Sequence, residues 1–242
     1  LAYRLSRGRV VAITGTNGKT TTTTLVGKLM KNYFESVFVV GNIGNPYTEA
    51  AKEMVDETVT VAEISSFQLE TIEEFHPQVS AILNITPDHL NRHHTMECYI
   101  ETKEKIALNQ TKDDVCVLNY DDSVTRAFGE HCNASVLYFS RLHKLEKGVY
   151  LDGDTFVYSD GETKIEICKT TDLKVLGGHN HENVMSAIAM AISMKVPMEI
   201  IRKTVMEFTA VEHRIEYVTE KNGVDYYNDY KGTNPDAAIK GI

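Results

Sequence analysis

Positive charge is scarce in this sequence. Only 25 lysine and arginine residues stand against 34 aspartate and glutamate residues, which leaves a net charge of −9 at pH 7. Binding to nucleic acid or to a membrane surface requires a basic face, so this charge argues against both roles. Any phosphate that the protein binds must therefore be held locally, by backbone N–H groups and individual lysines.

Cysteine, proline and long apolar runs are also few. The four cysteines include no C-x-x-C pair, which is typical of unpaired thiols in a reducing cytosol. No apolar run approaches the roughly 18 residues that span a bilayer, and the N-terminus has no signal peptide. The five prolines and 24% charged residues are typical of an ordinary globular protein. We therefore expect a cytoplasmic monomer that binds neither membranes nor nucleic acids.

The two ends of the sequence bear on its domain organisation. The sequence begins with Leu1 instead of methionine and stops at Ile242, in a stretch that has the pattern of the first turns of a helix. We expect truncation at both ends. A hairpin pattern around Asn222-Gly223 follows the last helix of the main domain. We therefore assign residues 1–208 to one domain and residues 209–242 to the start of another.

Short apolar runs alternate with helical patterns over the first half of the chain. Such runs predict buried strands, because strands of a parallel sheet that is covered on both faces are apolar throughout. Helical spacing of apolar residues between the runs predicts helices that connect parallel strands. The expected class is α/β, with three layers and a mainly parallel sheet. The predicted strands are 10–14, 37–40, 58–64, 79–85 and 115–118, and the clearest helices are 20–34 and 96–109.

The pattern changes between residues 136 and 175. Short runs of alternating polarity are separated there by Asp-Gly turns, which predicts a small antiparallel insertion. Two helical patterns follow it. The alternating runs are 149–151, 155–158 and 164–168, and the helices are 183–194 and 200–208.

A glycine-rich loop joins the first predicted strand to the first helix. It reads G-T-N-G-K-T over 15–20, a shorter variant of G-x-x-x-x-G-K-[ST], whose first glycine would fall at Ile13. Glycines let the backbone N–H groups point at phosphate, and the helix N-terminus adds a favourable dipole. Lys19 would neutralise the terminal phosphates, and the Thr20 hydroxyl would reach a Mg²⁺ ion. A turn that binds nothing is the weaker interpretation.

Polar residues follow two further strands at the same edge of the predicted sheet. Glu63 lies at the carboxyl end of the third strand, where open α/β sheets bind ligands, and Asp88-His89 follows the fourth. Taken alone, Glu63 is more simply a surface glutamate and His89 a structural histidine beside a turn. Together with the phosphate loop they predict a site for a metal ion and phosphate. His93 and His94 are predicted to be surface residues.

These motifs resemble those of the Mur ligases and of their relative, folylpolyglutamate synthetase. The G-T-N-G-K-T loop is similar to the family's ATP loop, and further matches fall in the family's order and approximate spacing over nearly the whole chain. The block S-S-F-Q-L-E at 65–70 resembles the branch that adds D-glutamate to UDP-N-acetylmuramoyl-L-alanine. The other matching blocks are 41–44, 84–92, 178–183, 213–214 and 228–234.

The resemblance implies an ATP-dependent ligase that forms an amide through an acyl phosphate, in the synthesis of peptidoglycan precursors. It implies a P-loop-type central domain, followed by the start of a dinucleotide-fold domain. ATP and two Mg²⁺ ions are the implied cofactors, and the chain alone is expected to be inactive. Four residues carry the implied catalytic roles: Lys19, Glu63, His89 and Lys103.

The binding residues that the resemblance implies form three groups. The nucleotide contacts are Gly15, Thr16, Asn17, Gly18, Lys19, Thr20, Thr21, Asn180, Asn183, Arg214, Asp229 and Lys231. The substrate contacts are Asn42, Ser65 and Thr233. The magnesium ligands are Thr20, Glu63, His89 and Lys103.

Lys103 and Tyr230 are two positions where the family resemblance and the sequence pattern disagree. Lys103 matches a lysine that is carbamylated in the family, whereas its place on the predicted helix alone indicates an exposed lysine. Lys105 is the neighbouring alternative. Tyr230 stands where the family has a small serine, which puts the geometry beside Asp229 and Lys231 in doubt.

Two other functions remain open on the sequence. The first is another enzyme of the same superfamily, either a different Mur ligase or a folylpolyglutamate synthetase. The second is an ATP-binding regulatory module without ligase chemistry. The 65–70 block argues against the first, and the set of Glu63, His89 and Lys103 argues against the second.

Overall fold

Helices and strands alternate over the first 140 residues, as the apolar patterns predict. The computed structural model describes residues 1–175, 177–209 and 216–228. The strands are β1 (Arg9–Thr14), β2 (Val37–Gly41), β3 (Val59–Glu63), β4 (Val79–Ile82), β5 (Val115–Asn119), β6 (Ser135–Ser140), β7 (Lys147–Asp152), β8 (Thr155–Asp160), β9 (Lys164–Lys169), β10 (Glu216–Lys221) and β11 (Val224–Asn228). The helices are α1 (Ala2–Leu5), α2 (Lys19–Lys31), α3 (Tyr47–Ala50), α4 (Ser66–Leu69), α5 (Leu90–His93), α6 (Met96–Glu104), α7 (Ser123–Gly129), α8 (Gly178–Ser193) and α9 (Met198–Glu207).

One nine-stranded sheet organises the fold, in the order β2-β3-β1-β4-β5-β6-β7-β8-β9. All pairs from β2 to β7 are parallel, and only the pairs β7–β8 and β8–β9 are antiparallel. This confirms the mainly parallel sheet. Strand β1 lies between β3 and β4, so the chain leaves it in one direction and later returns on its other side. Open α/β sheets bind ligands at such a switch point, beyond the carboxyl ends of the strands.

The antiparallel segment differs from the prediction at its start. Residues 147–169 form the antiparallel strands as predicted, and they extend the edge of the main sheet. Strand β6 is instead parallel to β5, with Val117 opposite Leu137. The reason is helix α7, which makes β5-α7-β6 a crossover unit that the apolar pattern did not reveal. Its start carries a recognisable signal, since the Asp122 side chain accepts hydrogen bonds from Val124 N and Thr125 N at 2.9 and 3.0 Å.

Helices cover both faces of the sheet and complete the three layers. Along β1, Val11 and Ile13 point to the face covered by α2, α8 and α9, while Val10 and Ala12 point to the face covered by α6. This alternation follows from the two-residue period of a strand, and it makes β1 apolar throughout. Each buried leucine or valine stabilises the fold by about 1.5–3 kcal/mol. The phosphate loop thus starts from a buried strand that is paired on both sides.

The elements after the main sheet are helix α8, which starts earlier than predicted, and the predicted hairpin. Helix α8 begins at Gly178, five residues before its predicted start, because its first turn is polar and lacks apolar spacing. Strands β10 and β11 form the predicted hairpin, with Asn222 and Gly223 at φ of 57° and 75° in the turn. Among the residues that the structure describes, no helix combines the length and the apolar character that crossing a membrane requires.

Candidate functional site

The loop between β1 and α2 has the backbone that its glycines predict. Gly18 has φ of 84° and precedes the first residue of α2. A Cβ atom at Gly18 would lie 2.2 Å from Asn183 Oδ1 of helix α8, so only glycine lets the loop pass this close. The N-terminus of the 13-residue helix α2 therefore opens directly onto the loop, with the N–H groups of its first turn and its dipole.

The residues after β4 hold this loop in place. Thr16 N donates to Asn84 O at 2.9 Å, and Asn17 N donates to the Asn84 side-chain oxygen at 2.8 Å. The Asn84 amide donates back to Asn17 O at 3.2 Å. Thr16 Oγ1 lies 3.1 Å from the Tyr99 hydroxyl on α6. Asn84 and Tyr99 were not predicted as site residues; Asn84 was placed inside the predicted strand 79–85, whereas β4 ends at Ile82.

Two lysine side chains meet at one carbonyl of the loop. Lys19 Nζ donates to Gly15 O at 2.9 Å and to Thr16 O at 2.8 Å. Lys103 Nζ donates to the same Gly15 oxygen, also at 2.9 Å. Two ammonium groups on one oxygen would repel each other strongly in a buried place. The arrangement therefore favours the loss of one charge.

Lys103 is the more deeply buried of the two lysines. Its side chain is 2% exposed, and its amine lies 4.8 Å above the centre of the Tyr99 ring. Burial holds the pKa of Lys103 well below its usual value, the charge of Lys19 lowers it further, and Asp88 acts in the opposite direction. The expectation of an exposed lysine, drawn from the helix alone, is wrong, because α6 packs this face against the loop. Lys105 Nζ instead donates to Glu70 O at 3.2 Å.

Glu63 is a buried carboxylate with one unsatisfied oxygen. It is 1% exposed at the end of β3, where it lies opposite Ile13 of β1. Its Oε1 accepts a hydrogen bond from the Asn42 side chain at 2.8 Å. Its Oε2 is buried and has no hydrogen-bond partner. A carboxylate in this state is costly, which is the condition that a bound cation relieves. The interpretation of Glu63 as a surface glutamate is wrong.

These residues fit part of the ligand shell of a magnesium ion whose other ligands are phosphate oxygens and water. Among the described residues, no group of three His, Cys, Asp or Glu side chains could hold a metal ion by itself. Magnesium commonly takes one or two carboxylates and completes its shell with water and phosphate oxygens. Glu63 supplies such a carboxylate, and Thr20 lies half-buried in the first turn of α2. Thr21, beside it, is buried.

The Asp88-His89 pair lies near the edge of the site. His89 has a positive φ of 52°, and its ring is about half exposed, 5.0 Å from the ring of Phe67. Its Nδ1 lies 3.7 Å from Asp88 Oδ1. His93 is buried, contrary to prediction, because it packs on Tyr99 and its Nε2 lies 3.0 Å from Ser66 Oγ. Burial lowers the pKa of His93, which keeps its ring neutral at pH 7.

The predicted substrate positions flank this edge. Asn42 is exposed and fixed by its bond to Glu63. Ser65 forms a capping box with Gln68: Ser65 N donates to Gln68 Oε1 at 2.8 Å, and Gln68 N donates to Ser65 Oγ at 3.4 Å. The hydroxyl of Ser65 therefore has a structural role at the start of α4, and it remains half-exposed.

Helix α8 brings the last described candidates to the loop. Asn183 is 6% exposed and accepts a hydrogen bond from Thr22 Oγ1 at 3.3 Å, and its amide donates to Asn180 Oδ1 at 3.2 Å. Both asparagines lie inside the helix, whose N-cap residue is Gly177, so neither of them caps it. The remaining predicted contacts, Arg214, Asp229, Lys231 and Thr233, lie outside the described residues, as does Tyr230.

A comparison with known protein families assigns this chain to one of them. Residues 13–191, about three quarters of the chain, match the Mur ligase middle domain. The chain belongs to the Mur ligase family. The match begins at Ile13 in β1 and therefore includes the phosphate loop and α2.

Curated Mur ligases match the whole chain at high identity. A UDP-N-acetylmuramoylalanine–D-glutamate ligase from Lachnoclostridium phytofermentans is 60% identical over 242 residues, which are 100% of this chain and 53% of that protein. The enzyme of the same name from Clostridioides difficile is 52% identical over 243 residues and 54% of its length. The chain thus spans about half the length of the curated relatives it matches.

Solved Mur ligase structures share the fold at low identity. A crystal structure of MurF from Acinetobacter baumannii matches with a TM-score of 0.78 and 20% identity over 99% of this chain and 54% of that one. MurF ligase from Thermotoga maritima, solved in complex with ADP, matches with a TM-score of 0.74 and 20% identity over 99% of this chain and 58% of that one. At these identities the likeness supports the Mur ligase fold alone.

Proposed function

We propose that this chain is the nucleotide-binding part of an enzyme that uses ATP to join D-glutamate to UDP-N-acetylmuramoyl-L-alanine. The observation that carries the proposal is the convergence of Lys19, Lys103 and the unsatisfied carboxylate of Glu63 around the phosphate loop. The substrates are taken from the names of the curated relatives, which are 52–60% identical to the whole chain. The structure of one neighbour with ADP supports a nucleotide at this edge.

The phosphates of ATP would lie on the loop amides at the start of α2. Backbone N–H groups in the first turn of α2 and the dipole of that helix favour anions there. Lys19 now donates to two loop carbonyls, at 2.9 and 2.8 Å, and would exchange them for the terminal phosphates. Asn180 and Asn183 in helix α8 are proposed as further nucleotide contacts. The positions Arg214, Asp229 and Lys231 are proposed as further contacts on the family resemblance.

Magnesium would be held by Thr20, Glu63, His89 and a carbamylated Lys103. When bound, it would neutralise charge on the phosphates. Glu63 is prepared for this role because one of its oxygens is buried and unpartnered. The ring of His89 is half exposed at the mouth of the site, within reach of solvent and ligands.

The environment of Lys103 favours carbamylation. Only a neutral amine attacks carbon dioxide, and burial keeps the pKa of Lys103 well below its usual value. Its nitrogen forms a bond to the carbon of CO₂, and the proton released goes to solvent. The product is a carbamate anion, which relieves the repulsion between Lys103 and Lys19 at Gly15 O and supplies a hard oxygen ligand.

The reaction then consists of two transfers. The carboxylate of the L-alanyl substrate attacks the γ-phosphate of ATP and gives an acyl phosphate and ADP. The amine of D-glutamate attacks the acyl carbon, and phosphate leaves as the amide forms. Lys19 and the loop amides stabilise the charge on the transferred phosphoryl group, so that catalysis is chiefly positioning and charge neutralisation. Asn42, Ser65 and Thr233 are proposed as substrate contacts.

Lys19→Ala tests whether the loop binds the nucleotide. We expect the 242-residue chain to bind ATP in the presence of Mg²⁺, and the variant to bind at least about 100-fold more weakly, because one cation faces several phosphate charges. Isothermal titration calorimetry measures both affinities. Lys31→Ala, an exposed lysine at the other end of α2, is the matched control and should bind as the unmodified chain does. Equal affinity in Lys19→Ala would refute the assignment of the phosphate loop.

A further inference from the structure

The turn after β4 carries an asparagine whose side chain pairs with the phosphate loop at two points. Asn17 N donates to Asn84 Oδ1 at 2.8 Å, and the Asn84 amide donates to Asn17 O at 3.2 Å. The side chain thus pairs with the backbone of Asn17 as a neighbouring strand would, although β4 has already ended at Ile82. Asn84 is not among the residues proposed above to hold nucleotide, metal or substrate.

Thr16, the preceding residue of the loop, is fixed by the same turn. Its N–H donates to Asn84 O at 2.9 Å. Its hydroxyl donates to Thr86 O at 3.1 Å and accepts a hydrogen bond from Thr86 N at 3.0 Å. The N–H groups of Thr16 and Asn17 therefore serve the turn after β4. This division assigns the phosphates to the other half of the loop, where α2 begins.

The turn after β4 is itself held from its far side by residues at the end of β5. Asn119 Nδ2 donates to Leu83 O at 3.2 Å, and Ile85 N donates to Asp122 Oδ2 at 3.0 Å. Asn119 is 3% exposed, and Asp122 is fixed by the first turn of α7, which it caps. The turn is thus anchored to two strands of the sheet, and this gives Asn84 a defined position from which to hold the loop.

We propose that Asn84 is the positioning residue of the phosphate loop, which it holds so that the first turn of α2, and Lys19 with it, faces the phosphates of ATP. This inference rests on the proposed nucleotide function and adds a residue to it. Asn84 acts through the backbone of Asn17 and not by touching the nucleotide. Loss of its side chain removes two hydrogen bonds directly before Gly18, so the loop would spend less time in the conformation that binds phosphate.

Hydrogen exchange of the Asn17 amide tests the contact in the 242-residue chain without nucleotide. In Asn84→Ala we expect this amide to exchange roughly 10-fold or more faster, the effect of losing one hydrogen bond. Two-dimensional NMR spectroscopy measures the exchange, and thermal unfolding shows whether the variant is folded. Exchange at the original rate would overturn the proposal.

Asn109→Ala is the matched control. Asn109 is also half-buried, and its amide donates to Glu73 O and Phe75 O at 2.7 and 3.0 Å, away from the phosphate loop. Its loss should leave the exchange of the Asn17 amide unchanged. Asn84→Asp is a second variant, which keeps the shape of the side chain and the acceptor for Asn17 N. It should still loosen the loop, because it places an oxygen opposite Asn17 O.

The kinetics of the full-length enzyme separate positioning from a general loss of structure. In Asn84→Ala the KM for ATP should rise roughly 10-fold or more, while the KM for D-glutamate stays within a few-fold of the original. An unchanged KM for ATP, or an equal rise in both constants, would overturn the positioning role. Faster exchange at Asn17 in a protein that has no ATP-dependent turnover even when unmodified would contradict the proposed function instead, and not the hold of Asn84 on the loop.

Discussion

Lys103→Ala is expected to lower the turnover of the full-length enzyme by roughly 100-fold to 1,000-fold, the range for loss of one preorganised charge-stabilising group. The variant removes the amine that carbamylation would convert into a magnesium ligand. It should still fold, because the Gly15 carbonyl keeps Lys19 as a donor at 2.9 Å. A short carboxylic acid such as formate or acetate is no larger than the part of the side chain that is removed, and it should restore part of the activity.

Lys105→Ala is the matched control for this prediction. Lys105 lies two residues further along the chain, and its amine donates to Glu70 O, away from the phosphate loop. Its turnover should stay within a few-fold of the original. Full activity in Lys103→Ala would rule out the proposed role of Lys103. If Lys105→Ala were inactive at the same time, Lys105 would be the lysine that the reaction needs. Incorporation of label from ¹³C-bicarbonate at Lys103 measures the carbamate directly.

Glu63→Gln is expected to separate activity from stability. The change keeps the shape of the side chain and an oxygen for the Asn42 amide, but it removes a buried charge whose second oxygen has no partner. Turnover should fall by at least roughly 100-fold, because the side chain that we propose as a magnesium ligand no longer carries a charge. The free energy of unfolding without nucleotide and metal should not fall, and it should rise by up to about 2 kcal/mol.

Urea unfolding and steady-state turnover measure the two effects of Glu63→Gln. Glu57→Gln, at an exposed carboxylate shortly before the same strand, is the control and should change neither quantity appreciably. A strongly destabilised Glu63→Gln chain would show that the carboxylate has a structural role. Normal turnover in that variant would show that Glu63 does not support the metal.

The positions of the first five strands along the chain were predictable because buried strands carry their own signal. Apolar runs such as 10–14 and 115–118 predict strands without knowledge of their neighbours. Helix α7 and the parallel pairing of β6 were missed, since α7 has seven residues and too few apolar positions to show a helical period. Its Asp122 cap was the available signal, and it is local enough to read from sequence.

The candidate site was predictable in part for a related reason. Residues that follow strand ends, such as Glu63 and Lys19, are placed by the sheet itself. The burial of Lys103 was not predictable from its helix, because it depends on how α6 packs against a loop more than eighty residues earlier in the chain. His93 was missed in the same way: its burial arises from contacts with Ser66 and Tyr99, which tertiary packing alone brings together.

The most direct test of the proposed function is to measure which amino acid the full-length protein joins to its substrate. The protein would be incubated with Mg²⁺, ATP and UDP-N-acetylmuramoyl-L-alanine in four parallel reactions. Each reaction also contains one amino acid: D-glutamate, L-glutamate, meso-diaminopimelate or L-lysine. Mass spectrometry detects the amide, and a phosphate assay measures ATP consumption. We expect product and matching phosphate release with D-glutamate only. Product with another amino acid would assign a different ligase, and nucleotide binding without product from any of them would contradict ligase function.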